Sequence, residues 1–127
     1  MHARGPRTGF SMVPRTSWPA QTMDVFLDMW CEDSKATWPT LKALAAARPD
    51  VDVRIQLFPL PYNFGSWLPA QSCTAAAMLT GTSQTFIECI DIIYSNTTQH
   101  DIKSLALVNG TTRDVIDALV AVLAGPL

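Results

Sequence analysis

The chain has 127 residues, 48% of them hydrophobic and 16% charged, with a net charge of −2. That length forms one domain burying roughly two-thirds of the surface its unfolded form exposes, and the composition excludes a disordered tail, which needs low hydrophobicity and high net charge. Residues 1–23 carry Arg4, Arg7 and Arg15 and no acid, whereas the remainder sets six basic against eleven acidic residues; a body this acidic lacks the basic footprint a phosphate backbone requires, so nucleic acid is not an expected partner.

Residues 1–22 are punctuated by Pro, Gly and Thr and show no sustained period, which predicts an irregular arm ahead of a domain spanning residues 23–127. The arm has no apolar run followed by a small-residue cleavage site, so no secretory signal is visible. Its arginines, Ser and Thr give it weak organelle-transit character, which Pro6, Pro14 and Pro19 oppose by breaking any amphipathic helix. Met23–Trp30 (MDVFLDMW) then reads as a strand, with Val25, Leu27 and Met29 on one side and Phe26 and Trp30 on the other.

Asp33 or Ser34 is the expected cap of the helix that follows, in which Leu41, Leu44 and the alanines form a buried stripe. Pro39 lies beyond the first turn and should kink it, and Arg48-Pro49-Asp50 ends it. Val51–Phe58 alternates, with Val51, Val53, Ile55 and Leu57 one way and Asp52, Arg54 and Gln56 the other, as in a half-buried strand. Strand, helix and strand over this length make a βαβ unit with parallel strands. A loop, Pro59-Leu60-Pro61-Tyr62-Asn63, stops the second strand.

Everything beyond Trp67 reads as helical. One segment capped by Ser66 runs to Gly81, and a second places Phe86, Cys89, Ile90 and Ile93 on one stripe. A short third lies around Asp101–Val108, and Thr112–Leu123 has a Thr cap and apolar residues at 115, 116, 119, 120 and 123. The most apolar stretch, near Ala118–Leu127, is too short to span a bilayer and contains Gly125 and Pro126, so the chain reads as soluble.

Cys31-Glu32-Asp33-Ser34 occupies the junction of the first strand and its helix. Amides and the helix dipole at such a junction favour an anion, so a thiolate is stabilised there. The alternative for Cys31 is a small buried hydrophobe. Ser34 is either a hydrogen-bond donor to the Cys31 sulfur or the helix cap. Cys73 and Cys89 sit eight residues before and after Gly81 and could face each other if Gly81 turns two antiparallel helices; their apolar neighbours favour plain core packing. Asp28 is either a buried proton acceptor or, preferably, a solvated or hydrogen-bonded strand-end residue. Trp30 and Trp38 read as core aromatics, with Trp30 also adjoining the sulfur. His2 and His100 read as surface residues, and with the cysteines far apart no zinc site is expected. Asn96-Thr97-Thr98 and Asn109-Gly110-Thr111 read as turns rather than glycosylation sites.

The run DVFLDMWCEDSKATWPTLKALA, followed after the second strand by FPLPYN, resembles the DsbA-like branch of the thioredoxin superfamily, and within it eukaryotic members with a Cys-Pro-Asp-Ser motif and a Leu-Pro-Tyr-His loop. The similarity covers about residues 23–95. It implies an α/β, thioredoxin-like fold with a helical insertion after the second strand, Cys31 at the redox-active position and Ser34 where a dithiol enzyme has its second cysteine. Substrate contacts would fall to Trp30, Glu32, Asp33, Pro61 and Tyr62.

Glu32 stands where the family has proline and sets a negative charge beside the sulfur; Asn63 stands where its loop has histidine. No later strand pair with a cis-proline loop is found, so the carboxy-terminal ββα part is expected to be missing or divergent. Arg54 and Gln56 would then lie on an open polar face, and a two-stranded sheet would need a further strand or a partner chain to hide its edges. Three functions are therefore in contention: a thiol–disulfide oxidoreductase acting on protein thiols, protein disulfides or glutathione through Cys31; a non-catalytic binding or assembly module; and a kappa-type glutathione-dependent transferase or isomerase. No cofactor other than glutathione is expected.

Overall fold

The computed structural model describes residues 8–13, 21–63 and 65–95. They form a mixed α/β arrangement: β1 (Phe10–Ser11), β2 (Gln21–Leu27), α1 (Glu32–Ala47), β3 (Val51–Leu57), α2 (Trp67–Thr80) and α3 (Ser83–Ile93). The sheet order is β1-β3-β2. β2 and β3 are parallel, in register from Gln21↔Val51 to Leu27↔Leu57, with α1 as the crossover. The expected βαβ unit is therefore present.

Two boundaries differ from expectation for one local reason. β2 stops at Leu27, three residues short, because the Asp28 carboxylate accepts the Trp30 amide at 2.7 Å and folds the chain into a turn. Met29 and Trp30 swing into the core instead of continuing the strand. The turn delivers Cys31, with extended φ −84° and ψ 126°, as the N-cap of α1, so the helix starts ahead of Asp33 and Ser34 and neither caps it. Glu32 and Asp33 fall in its first turn, where the macrodipole favours acids. Trp38, Leu41 and Ala45 form its buried stripe, and Pro39 lies inside the helix, where its ring nitrogen cannot donate.

The arm is not wholly irregular. Phe10 and Ser11 pair antiparallel with Ile55 and Arg54, supplying the sheet with a third strand. Arg54 is the reason: its guanidinium donates to the carbonyls of Thr8 (2.8 Å) and Gly9 (2.6 Å) and to Asp52 (3.2 Å). Ser11 Oγ donates to the other Asp52 oxygen at 2.6 Å. Gly9 has φ +74°, and a Cβ there would run into Gln56 and the Ile55 carbonyl. Phe10 stacks on Phe86, ring centroids 4.0 Å apart, and Met12 is buried. The face expected to be open and polar is thus partly the arm's anchorage, and Asp52 is buried on it.

α2 and α3 form a hairpin turned by Gly81, whose φ of +71° lets its amide reach the Ala77 carbonyl. Thr82 caps α3 by accepting the Gln84 amide. Equal spacing about this turn brings Cys73 and Cys89 to a Cα separation of 5.5 Å, and they form a disulfide. Core packing as free thiols is overturned: antiparallel helices crossing at a fixed turn place residues equally distant from it side by side. The bond closes a loop of separation 16, which constrains the unfolded chain by about 3 kcal/mol. The segments expected at 101–108 and 112–123, both sequons, His2 and His100 lie outside the described residues. No described helix is long and apolar enough to cross a membrane.

Candidate functional site

At the carboxyl end of the parallel pair, four segments meet around one carboxylate. Asp28 is 2% exposed. Its Oδ1 accepts the Trp30 amide; its Oδ2 accepts the Leu60 amide (2.6 Å), Asn63 Nδ2 (3.1 Å) and Ser66 Oγ (3.2 Å). A carboxylate offers about four lone-pair positions, two on each oxygen; three of these donors converge on Oδ2 and one reaches Oδ1. The backbone of the same residue is also engaged: its N–H donates to Ser34 Oγ at 3.3 Å, and its carbonyl accepts Tyr94 Oη at 2.8 Å and the Cys31 amide at 3.3 Å. Of the two roles expected for Asp28, the hydrogen-bonded one is present, but as a buried hub instead of a solvated strand end.

Cys31 is the free cysteine of the described residues and is partly exposed. Its carbonyl accepts the Lys35 amide at 3.0 Å, the opening bond of α1, so the sulfur is carried on the residue at the positive end of a 16-residue helix. The acids Glu32 and Asp33 that follow are exposed, and their opposing charge is weakened by solvent. Ser34, in the first turn, accepts from Asp28; no hydrogen bond joins it to the Cys31 sulfur. Both roles expected for Ser34 give way to a third, tethering the first turn of α1 to β2.

Tyr94, the C-cap of α3, completes the cluster from 66 residues beyond Asp28 in sequence and is buried. Desolvation holds its phenol well above the usual tyrosine range; hydrogen bonding with Ser34 opposes that shift, while negative charge at Asp28 and Cys31 adds to it. Tyr94 is therefore a neutral donor within electrostatic reach of the Cys31 sulfur.

Trp30 is 7% exposed, and its ring lies so close to Gly65 that a Cβ there would overlap it. It is a core aromatic and not a substrate platform. Its Nε1 is buried with no partner. Glu32, Asp33, Pro61 and Tyr62 are exposed, so these four of the five expected contact residues are accessible. The residues that sequence reasoning missed are Tyr94 and the donors of Asn63 and Ser66. One signal pointed their way: a lone acid between Leu27 and Met29 in an apolar strand must find partners if it is buried. Among the described residues no group of His, Cys, Asp and Glu is arranged to hold a metal ion. No protein-family model, curated protein or solved structure matches the chain.

Proposed function

We propose that the chain is a thioredoxin-like, DsbA-related module in which Cys31 is the single nucleophile of thiol–disulfide exchange. The observation that carries this reading is a free, partly exposed cysteine as the N-cap of the crossover helix between two parallel strands. In the forward step the Cys31 thiolate attacks one sulfur of a substrate disulfide. A Cys31–substrate disulfide forms, the substrate's S–S bond breaks, and the departing sulfur leaves as a thiolate that takes a proton from water. Ser34 offers no second sulfur, and Cys73 and Cys89 are bonded to each other and buried. Resolution therefore requires an external thiol such as glutathione, which attacks the substrate sulfur and expels Cys31 as thiolate. Substrates would be protein disulfides or glutathione disulfide, with Pro61 and Tyr62 as exposed contacts on the loop that Asp28 ties to the Cys31 turn.

Incubation with glutathione disulfide under non-reducing conditions, followed by peptide mass mapping, tests this. One glutathione on Cys31, absent from Cys31→Ser, is the expected result; a natively folded chain that takes up none overturns it. Retention on immobilised glutathione without any adduct would instead favour the kappa-type transferase reading.

A second reading, a non-catalytic assembly module, is favoured by Phe26 and Phe58, which are 65% and 55% exposed and packed edge to face on the open side of the sheet. Light scattering after size exclusion separates the two readings: a stable monomer with a reactive Cys31 excludes the assembly module.

A further inference from the structure

Pro61 and Tyr62 lie past the last bond between the parallel strands, Phe58 N–H to the Leu27 carbonyl at 2.8 Å, and beyond it their loop and the Cys31 turn both bond to one buried group. Leu60 N–H and Asn63 Nδ2 reach Asp28 Oδ2 from the loop, while Trp30 N–H reaches Oδ1 from the turn. We infer that Asp28 is a positioning residue: it clamps the Pro59–Asn63 loop beside Cys31 so that a disulfide substrate meets the thiol and the loop together.

All four groups that touch the carboxylate are donors, and three of them, from the loop and the head of α2, converge on Oδ2 while the turn holds Oδ1. Clamping also explains why no cation is among those partners. Backbone amides report chain position directly, whereas a long lysine or arginine would let the segments drift. The clamp extends to the heads of the hairpin, since Ser66 precedes α2 and Tyr94 ends α3, and both touch Asp28.

The kinetic consequence rests on the thiol reading proposed above; the clamp itself does not. A small alkylating agent needs only the sulfur, whereas glutathione disulfide is large enough to need sulfur and loop in register. Asp28→Asn puts an amide N–H where a donor must be accepted, and Asn63→Ala removes one donor at a partly exposed site, so the second variant keeps the test open should the first not fold. In folded Asp28→Asn, hydrogen exchange of the Leu60 amide should rise about tenfold, the range for losing one hydrogen bond to a charged group, and in Asn63→Ala, which loosens the loop but keeps the Leu60 bond, it should rise about threefold. The rate with glutathione disulfide should fall about tenfold while the rate with iodoacetamide changes less than about threefold.

Unchanged Leu60 exchange in both variants overturns the clamp. Equal loss of both rates overturns the positioning role, because it would mean that Asp28 acts on the sulfur or on the fold as a whole. If wild-type Cys31 takes up no glutathione, the thiol reading falls and takes the kinetic claim with it, while Leu60 exchange still decides the clamp.

Discussion

Asp28, just past the end of β2, and Asp52, on β3, are 2% and 3% exposed and are buried in opposite ways. Asp52 holds a cation, Arg54, and through it and Ser11 it fastens the arm to the sheet. Asp28 holds only neutral donors, two of them backbone amides, and gathers the turn, the loop and two helix ends. An ion pair concentrates its effect in one partner, because removing that partner strands a charge. A carboxylate shared among several neutral donors spreads its effect and fixes backbone positions one by one. The first arrangement suits attachment, and the second suits alignment.

Breaking the Asp52 side should cost most. Arg54→Met leaves Asp52 buried beside an apolar chain and frees the Thr8 and Gly9 carbonyls, for an expected loss of about 3 kcal/mol by urea unfolding; Asp52→Leu added to it should recover part of that loss. Removing one donor from Asp28 should cost less. Ser66→Ala deletes a fully buried hydroxyl, and about 1–2 kcal/mol is expected in the same measurement.

Tyr94→Phe removes the bond to the Asp28 carbonyl, worth about 1 kcal/mol, and changes the alkaline limb of stability. The phenol is raised above its ordinary 10.0 in the folded chain. Below pH 10 both states keep the proton and the contribution is fully present; above pH 10 the unfolded chain loses it first, so stability falls as pH rises. In Tyr94→Phe the decline of melting temperature above pH 10 should be shallower. The control is Arg48, whose pairing with Asp50 is exposed and touches neither buried carboxylate. Arg48→Ala should leave the melting temperature unchanged.

The βαβ unit was legible because alternation in residues 51–57 and the spacing of Leu41, Leu44 and the alanines each carry their own period. The place of Cys31 followed from those boundaries, though not its capping role, which depends on the Asp28 turn. β1 left no signal: two residues have no period, and the force that pairs them comes from Arg54, more than 40 positions away. Asp28 was visible as an anomaly but not as a hub, since backbone amides have no letter in the sequence and Tyr94 arrives from another helix. The spacing of Cys73 and Cys89 about Gly81 was readable, but apolar neighbours surround a buried disulfide and a pair of buried thiols alike.

The Cys73–Cys89 bond doubles as a birthmark. Glutathione and thioredoxin keep such pairs open in the cytosol, while lumenal and extracellular surroundings close them. Trapping the thiols at the moment of cell lysis would therefore tell in which surroundings the polypeptide matured.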